Sequence, residues 1–351
     1  MIMVLAVSAV LWAIGAVMDA PKRPRLVMQA VLFGAVILIQ LTLPDGHPLR
    51  QATGSDLRLW VMLAVAVALG FGYWRGLSAL KAKVRRRNAA ELPQEPAPKP
   101  GAFTPQELSR YARHLMLREI GGPGQRQLKD AKVLVIGAGG LGAPALLYLA
   151  ASGVGTIGIV DDDIVEDSNL QRQVIHTEAQ IGVAKTQSAK AAMQALNRHI
   201  SVVTHPDRLT ETSAKTLFQN YDLVLDGTDN FETRYAINAA AIATGTPLIA
   251  AALTQWEGQI SLYNPAAGGP CFACLFPAAP DPALVPSCAE AGVAAPLPGI
   301  LGAMMAMEAV KHITGAGAGL MGRLMIYDAL YAETRVMKAK RNPECATCAG
   351  V

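Results

Sequence analysis

The chain has 351 residues, of which 52% are hydrophobic and only 17% are charged, so it is too apolar for an ordinary soluble protein and long enough for a full α/β domain. Residues 1–88 contain 11 Lys and Arg against three Asp and Glu, a net +8, whereas the remaining residues contain 20 against 24, a net −4. Because the positive charge flanks apolar segments, the basic composition gives no reason to expect a nucleic-acid partner.

Three apolar stretches near the N-terminus predict transmembrane helices: residues 1–18, 26–43 and 59–80. Each is close to the roughly 20 residues that cross a hydrocarbon core about 30 Å thick. Basic residues follow the first and the third stretch: Lys22, Arg23, Arg25, Lys81, Lys83, Arg85, Arg86 and Arg87. Since cytoplasmic loops are rich in Lys and Arg, residues 1–80 are predicted to anchor the chain in the cytoplasmic (inner) membrane, with everything after them in the cytoplasm. The alternatives are a buried helical hairpin of a soluble protein and a misassigned start codon.

A basic, Pro-rich linker at residues 81–102 separates this anchor from a domain at residues 103–351. The domain is expected to begin with a helix near Thr104, since Thr is a favourable N-cap and Pro105 suits the first helical turn. Arg113 follows shortly afterwards, at a position that composition alone would assign to a solvated helix face.

The most informative stretch begins where an apolar run meets the motif Gly137-x-Gly139-x-x-Gly142. An Ala- and Leu-rich helix follows, and a second apolar run ends in Asp161. This pattern predicts a βαβ unit in which backbone N–H groups and a helix N-terminus contact a phosphate. Taken alone, it is typical of dinucleotide-binding dehydrogenases, where a carboxylate at the place of Asp161 binds the ribose.

The residues after Asp161 do not suit a nicotinamide cofactor. The string Ser168-Asn169-Leu170-Gln171-Arg172-Gln173 is followed by Gly182-x-x-Lys185, which adds an amide, a guanidinium and an ammonium to the site. A triphosphate needs this amount of positive charge, whereas a nicotinamide cofactor does not.

A further apolar strand, within residues 221–226, leads into Asp226-Gly227-Thr228-Asp229-Asn230. Ligands of an open α/β sheet bind at the carboxyl ends of its strands. Asp229 is therefore placed to bind Mg²⁺ on the phosphates, since that cation prefers carboxylate oxygen, while Asp226 is predicted to be structural. Arg234, on the following helix, could pair with a neighbouring acid or with a ligand.

All five cysteines lie in the last third of the chain, and four of them form two C-x-x-C pairs, Cys271 with Cys274 and Cys345 with Cys348. Four thiolates make a closed tetrahedral site, so the pairs predict structural zinc in preference to a redox pair or disulfides. Cys288 stands alone in a Pro- and Ala-rich segment, and a role in thiol chemistry stays open for it.

In their order and spacing, the glycine motif, the string around Arg172, the Asp226–Asn230 segment and the paired cysteines resemble the MoeB/ThiF/HesA family of adenylyltransferases, bacterial relatives of the ubiquitin-activating enzymes. The resemblance covers residues 104–348. It implies a Rossmann-like α/β nucleotide-binding domain with a mixed sheet and a structural zinc site. The preceding membrane helices are not part of the family pattern.

The resemblance also implies a set of ATP-binding residues: Gly137, Gly139, Gly140, Asp161, Ser168, Asn169, Leu170, Gln171, Arg172, Lys185, Asp229 and Asn230. In this set Asp161 would contact the ribose, and Arg172 and Lys185 would lie at the phosphates. Arg113 of the partner subunit would reach the same triphosphate, so a homodimer is expected. Catalytic roles are expected for Arg113, Arg172, Lys185 and Asp229.

The reaction implied is the ATP-dependent adenylation of the C-terminal glycine of a small ubiquitin-like sulfur carrier that ends in Gly-Gly, giving acyl-AMP and pyrophosphate. A separate sulfur donor would then act on the acyl-AMP. Cys288 could form a transient thioester or accept sulfur. The molybdopterin-synthase branch, in molybdenum cofactor biosynthesis, is the nearest match, and the thiamine-thiazole branch is the alternative.

Two hypotheses from other classes remain. A membrane-bound NAD-dependent oxidoreductase would be stabilised by NAD and not by ATP. A non-catalytic membrane scaffold with a relic nucleotide fold would tolerate the loss of Arg172, Lys185 and Asp229, and all three are present.

Overall fold

The chain divides into two units, residues 1–97 and 98–351. The computed structural model describes residues 2–18, 21–44, 46–54, 56–90, 102–280 and 291–351. Residues 91–101 of the predicted linker lie outside the described residues, and so does Cys288, whereas its residues 81–90 are helical.

The first unit is helical, with α1 (Ile2–Val17), α2 (Lys22–Thr42), α3 (Pro48–Thr53) and α4 (Leu57–Ala90). A small apolar core joins its three longer helices through Val4, Val36 and Trp60, which are almost fully buried. Other large apolar side chains on these helices are exposed, among them Leu41 and Leu69. The unit thus buries little of its apolar surface against itself.

Two helical segments of this unit are long and apolar enough to cross a membrane, Pro24–Thr42 and Arg58–Lys81. Helix α1 has only 16 residues. At 1.5 Å per residue it spans about 24 Å, less than the roughly 30 Å of a hydrocarbon core. The prediction of three transmembrane helices is therefore wrong for the first stretch, and two candidates remain by length and composition.

The second unit contains a single eight-stranded sheet within the described residues. Its strands are β1 (Lys132–Ile136), β2 (Thr156–Val160), β3 (Ser201–His205), β4 (Leu223–Asp226), β5 (Leu248–Leu253), β6 (Glu257–Tyr263), β7 (Arg323–Asp328) and β8 (Glu333–Lys338). Its helices are α5 (Pro105–Arg110), α6 (Ala112–Leu115), α7 (Gly121–Asp130), α8 (Gly142–Ser152), α9 (Lys185–Leu196), α10 (Glu211–Phe218), α11 (Phe231–Thr244), α12 (Phe272–Leu275) and α13 (Pro296–Thr314).

The strand order is β3-β2-β1-β4-β5-β6-β7-β8. The first five strands in this order are parallel, and β6, β7 and β8 each pair antiparallel with their neighbours. The predicted mixed sheet is therefore confirmed. The chain moves outward from β1 through β2 to β3 and then returns to β4 on the other side of β1. This reversal opens a crevice at the carboxyl ends of β1 and β4, where open α/β sheets bind ligands.

Apolar side chains cover both faces of the sheet. On one face Leu149 of α8 and Met305 of α13 are fully buried against the strands, and on the other Phe218 of α10 and Ile237 of α11 are fully buried. Continuous burial of the last four residues of β1 and β2 fits parallel strands with both faces covered. The carboxyl ends of these strands are therefore held on a rigid core.

The second unit has a helix that begins at Thr104, as the sequence predicts. Thr104 caps α5, its hydroxyl accepts a hydrogen bond from the N–H of Glu107, and the Glu107 carboxylate accepts one from the N–H of Thr104. Lys129 of α7 donates to the same carboxylate at 2.7 Å. Burial opposes ionisation of Glu107, but this hydrogen bond and the cap lower its pKa below the ordinary value.

Candidate nucleotide site

The loop between β1 and α8 lies at the crevice beside β4, and its glycines are required by close backbone contacts. Gly137 has φ +89°, a conformation that only glycine adopts without strain. A Cβ on Gly142 would lie 1.7 Å from the carbonyl oxygen of Gly137, so helix α8 can begin at this point only with glycine. The loop thus leads directly into the N-terminus of α8, the end of a helix that favours an anion.

Asp161, directly after β2, contacts the glycine loop. Its Oδ2 accepts a hydrogen bond from the N–H of Ala138 at 2.7 Å, and its Oδ1 accepts one from the N–H of Asp163 at 2.9 Å. Burial raises the pKa of Asp161, while the Ala138 hydrogen bond and the charge of Lys185 act in the opposite direction. The predicted ribose contact stays a prediction; in this structure the carboxylate holds the loop in place.

His176 also contacts the loop, and sequence reasoning missed it. The ring is buried, its Nε2 lies 3.0 Å from the carbonyl oxygen of Ala138, and its Nδ1 lies 2.7 Å from Oγ of Ser188. Asp161 and His176 thus bind the N–H and the carbonyl of the same residue. No local signal marks this His, because Ala138 is 38 positions away in the chain.

The string around Arg172 folds over the loop. Asn169 is buried at the end of a short 3-10 helix, Asp167–Asn169, and its Oδ1 accepts from the N–H of Glu166 at 3.4 Å. Arg172 is half-buried, with Nη1 donating to the carbonyl of Ser168 at 3.1 Å. The Cδ of Arg172 lies 3.9 Å from the position of a Cβ on Gly140. The structure therefore brings the side chain of Arg172 to the predicted glycine loop, with its guanidinium bonded to Ser168.

The remaining predicted residues of that string lie farther out. Ser168 and Gln171 are exposed, and Leu170 is half-buried. The Gln171 amide donates to the carbonyl of Val293 at 3.4 Å, which links the string to the segment before α13. Their predicted contacts with a nucleotide stay predictions.

Lys185 is the first residue of α9, and its side chain is almost completely buried. Its Nζ donates to the carboxylate of Asp163 at 2.7 Å, and its backbone N–H donates to the carbonyl of Asp163 at 2.9 Å. The predicted phosphate ligand is therefore bonded to an acid that is mostly exposed, two residues after Asp161.

The segment at the end of β4 carries two carboxylates, Asp226 and Asp229, in different environments. Asp226 is buried, accepts from the N–H and hydroxyl of Thr228 at 2.9 and 2.6 Å, and lies 3.6 Å from Nη1 of Arg234. Asp229 is exposed and has no hydrogen bond within the described part of the chain. Asn230 caps α11 by accepting from the N–H of Thr233 at 2.8 Å. Asp226 and Arg234 are therefore structural, while Asp229 is available to a ligand.

Arg113 lies away from this crevice within its own chain. Tyr111, just before it, contacts Gly153 and accepts a hydrogen bond from Asn197 at 2.8 Å. Gly153 follows the last turn of α8, about 16 Å along that helix from its start at the glycine loop. The Arg113 side chain is exposed and has no polar partner among the described residues. The structure does not bring Arg113 to the nucleotide loop of the same chain.

The two C-x-x-C pairs come together, as the sequence predicts. Sγ of Cys271 lies 3.7 Å from Sγ of Cys274 and 3.7 Å from that of Cys345, and Sγ of Cys274 lies 3.5 Å from that of Cys348. A tetrahedral zinc with Zn–S bonds of about 2.3 Å requires sulfur atoms about 3.8 Å apart. The four thiols therefore fit a closed zinc site with no position left for a substrate.

Neighbouring groups support the cysteine cluster. Asn238 of α11 accepts a hydrogen bond from the N–H of Phe272, and the Arg341 guanidinium donates to the carbonyl of Cys348 at 2.7 Å. Burial raises the pKa of the Cys271 and Cys348 thiols, whereas for Cys345 burial is outweighed, and N–H groups of Thr347 and Cys348 help to lower its pKa.

Comparison with known proteins identifies the family to which this arrangement belongs. The sequence model of the ThiF family matches residues 111–347, more than half of the chain. This chain belongs to the ThiF family. It is 47% identical over 250 residues to a sulfur carrier protein adenylyltransferase of Thermus thermophilus, a match that covers 70% of this chain and 92% of that relative.

Two further matches agree with the family. The ThiF-family chain is 49% identical over 252 residues to the probable adenylyltransferase/sulfurtransferase MoeZ of Mycobacterium tuberculosis, covering 71% of this chain but only 64% of MoeZ. A crystal structure of E. coli MccB with ATP matches with a TM-score of 0.60 and 25% identity, over 68% of this chain and 73% of MccB. The chain is thus an enzyme of the adenylyltransferase class, and the oxidoreductase and scaffold hypotheses do not fit its relatives.

Proposed function

We propose that this chain binds ATP in the crevice between β1 and β4 and adenylates the C-terminal glycine of a ubiquitin-like sulfur carrier. The observation that carries the proposal is the glycine loop itself, which is bonded to Asp161 through the N–H of Ala138 and flanked by the side chain of Arg172. A phosphate placed there meets the N-terminus of α8 and a guanidinium, and both favour negative charge. The name of the Thermus thermophilus relative supports a sulfur carrier as the second substrate.

In this mechanism a carboxylate oxygen of the carrier's terminal glycine attacks the α-phosphorus of ATP. A bond forms between that oxygen and phosphorus, the bond to the bridging oxygen breaks, and pyrophosphate leaves. No general base is needed because the nucleophile is already ionised. Arg172 and Lys185 contribute by neutralising the charge that develops on the phosphates, and the loop N–H groups orient them.

A magnesium ion would be bound by Asp229. This exposed carboxylate ends the loop after β4, has no partner among the described residues, and is the type of oxygen ligand that Mg²⁺ prefers. When bound, the ion neutralises phosphate charge. Asp161 and Asp163 already accept hydrogen bonds from Ala138 and Lys185, so Asp229 is the better candidate.

We infer zinc at the four cysteines from their sulfur separations, with a structural role only. The Arg341 guanidinium also contacts the carbonyl of Val351, so the cluster links the end of the chain to α11 and α12. Burial and four protein ligands leave no open coordination position for catalysis.

A homodimer is proposed from the position of Arg113. Because its segment packs by the last turn of α8, the exposed Arg113 can reach a triphosphate only in another copy of the chain. Arg113 of the partner subunit would then complete the phosphate site. The sulfur donor is proposed to be a separate protein.

Attachment to the cytoplasmic membrane is proposed for the first unit, with the second unit in the cytoplasm. In its two candidate spans only 11% and 0% of the residues are buried, so most of their apolar side chains are exposed within the described residues. Large exposed apolar surfaces usually contact a membrane or a partner.

The carrier is proposed to be the small subunit of molybdopterin synthase, with the thiamine-thiazole carrier as the alternative. Intact-mass spectrometry of each carrier after incubation with ATP, Mg²⁺ and the full chain distinguishes the two. The proposal expects a mass gain of one AMP on the molybdopterin carrier and none on a carrier that lacks its last glycine. A gain on the thiamine carrier alone would assign the other pathway.

A further inference from the structure

The segment around Arg113 is held by polar contacts on both sides of this exposed arginine. Tyr111, two residues earlier, is only 5% exposed, and its hydroxyl accepts a hydrogen bond from Nδ2 of Asn197 at 2.8 Å. Directly after the arginine, Nδ1 of His114 lies 3.0 Å from Oε1 of Gln125. The proposed function uses Arg113 but gives no role to the residues that hold its segment.

On the Tyr111 side, the contacts are with the ends of two helices. Asn197 caps the C-terminus of α9, is fully buried, and also donates from Nδ2 to the carbonyl of Ala150 at 2.7 Å. The Tyr111 ring lies directly over Gly153, which follows α8, since a Cβ on that glycine would be 2.5 Å from Cζ of the ring. Tyr111 is thus fixed to the C-terminal ends of α8 and α9.

On the His114 side, the contact leads to the same end of α8. Gln125 of α7 is fully buried, and its Nε2 donates to the carbonyl of Ser152, the last residue of α8, at 2.8 Å. The amide oxygen of Gln125 is then left to accept from Nδ1 of His114. Both sides of the arginine are therefore attached to one rigid part of the domain.

The helix that carries Arg113 cannot set its own direction. Helix α6 has only four residues, and Tyr111 is the residue at which α5 ends and α6 begins. A helix this short is not stable by itself in water. The direction of α6, and with it that of the Arg113 side chain, therefore depends on the contacts of Tyr111 and His114.

We propose that Tyr111 and His114 are positioning residues that orient Arg113 towards the nucleotide site of the partner subunit. A segment that is already held in place loses less conformational freedom when its arginine binds a triphosphate. A displacement of about 1 Å can lower a rate about 100-fold. The inference rests on the proposed function, in which Arg113 acts in a second copy of the chain.

The alternative is that Tyr111 and His114 support only their own subunit. Their loss would then loosen α8 and α9 and disturb Gly142 and Lys185, which begin these helices at the nucleotide site of the same chain. The two roles differ in the subunit whose site is damaged, so dimers that combine two different variants can separate them.

The first measurement is carrier-dependent ATP–pyrophosphate exchange by the full chain in detergent. Tyr111→Ala and His114→Ala should each lower the rate about 10- to 100-fold, whereas Tyr111→Phe, which keeps the ring but not the hydroxyl, should lower it less. Adding either substitution to Arg113→Ala should lower the rate no further, because an absent arginine cannot be misplaced. Thermal unfolding and zinc content check that each variant folds. Since His114 is only half-buried, its variant keeps the test valid if Tyr111→Ala does not fold.

Mixed dimers, isolated through two different affinity tags, then locate the damage. Asp229→Ala inactivates only the site of its own chain. Paired with Tyr111→Ala, it should give about half the rate of a wild-type dimer, because the Tyr111→Ala chain then receives a correctly placed arginine from its partner. The same recovery is expected for His114→Ala and for Arg113→Ala. Arg172→Ala paired with Asp229→Ala is the matched control and should not recover, since both substitutions act in their own chain.

Normal exchange by either folded variant would overturn the inference for that residue. Mixed dimers that recover with Arg113→Ala but not with Tyr111→Ala or His114→Ala would overturn the inference and leave the proposed function intact. Mixed dimers that do not form, or that do not recover with Arg113→Ala, would overturn the proposed action of this arginine in the partner, and the inference with it. Exchange absent from the wild type with every Gly-Gly carrier would overturn the proposed adenylation and this inference together.

Discussion

Lys185 Nζ lies 2.7 Å from the carboxylate of Asp163, and the two side chains differ sharply in exposure, 7% for Lys185 and 66% for Asp163. The ammonium that is expected at the phosphates is thus held by an acid at the mouth of the crevice. A mostly exposed partner contributes little to stability, because water and salt screen it. ATP, with several charges, can therefore draw Lys185 away from Asp163 at low cost.

This pairing predicts opposite effects for its two members. Asp163→Asn should tighten ATP binding a few-fold, because the ammonium no longer has a competing carboxylate. Lys185→Ala should weaken ATP binding by about 10- to 100-fold, the cost of a hydrogen bond to a charged group. Isothermal titration with ATP measures both. Glu211→Gln, which breaks the exposed Glu211–Lys215 pair on α10, is the matched control and should change nothing. ATP binding by Asp163→Asn that is no tighter than that of the wild type would contradict this account.

The ionised carboxylate of Asp161 is predicted to support ATP binding at a cost to the stability of the fold. Its pKa in the folded chain is raised by burial above the ordinary value of 3.8, so the folded state binds the proton more tightly than the unfolded state. The stability contributed by this group is therefore fully present below 3.8 and is lost as the pH rises through the folded pKa.

Asp161→Asn removes the titrating carboxyl; its one amide oxygen can accept from the N–H of Ala138, but its NH2 then faces the N–H of Asp163. We expect a Tm that falls less than that of the wild type as the pH rises from about 4 to 7, and about tenfold weaker ATP binding, because a neutral amide is a poorer acceptor for ribose hydroxyls. Differential scanning calorimetry and ATP titration measure the two effects. Asp222→Asn, at the opposite edge of the sheet, should leave ATP binding unchanged. The same pH dependence of the Tm in Asp161→Asn and in the wild type would contradict this account of Asp161.

The cysteine cluster is predicted to bind one zinc ion per chain. Cys348→Ser should lose the metal and lower the Tm by several degrees, since the structural site contributes directly to folding. Elemental analysis and thermal unfolding measure these outcomes. Cys288→Ser is the control and should retain zinc. A full zinc content in Cys348→Ser would contradict the assignment.

Membrane attachment is tested by fractionation. The full chain should stay with membranes after alkaline carbonate extraction, whereas residues 102–351 should be found in the supernatant. We expect retention in the membrane because α2 and α4 expose apolar surface over a length that could span a bilayer, and exposing this surface to water is unfavourable. A carbonate-soluble full chain would show that these helices do not span a bilayer.

The sequence predicts best those parts of the site that depend on local spacing. The backbone contact of 1.7 Å that a side chain at Gly142 would make explains why the glycine motif is readable, and the paired cysteines are equally local. Asp226 and Arg234 are eight positions apart, and the sequence alone leaves it open whether Arg234 pairs with a neighbouring acid or with a ligand. His176 was not predicted because its partner Ala138, 38 positions earlier, becomes its neighbour only when the domain folds.

The length of α1 shows a different limit. Apolar composition continues to Met18, but the helix ends at Val17 with 16 residues, so a count of apolar residues overestimated the span. The position of Arg113 could not be read from sequence either, since its distance from the glycine loop depends on how α8 lies between them.

The central claim, adenylation of a carrier, is tested most directly by ATP–pyrophosphate exchange with the full, zinc-loaded chain and carriers ending in Gly-Gly. The account predicts exchange that requires one carrier and its terminal glycine, and that falls to background in Asp229→Ala. Exchange absent with every carrier, from folded protein that binds ATP, would contradict the claim.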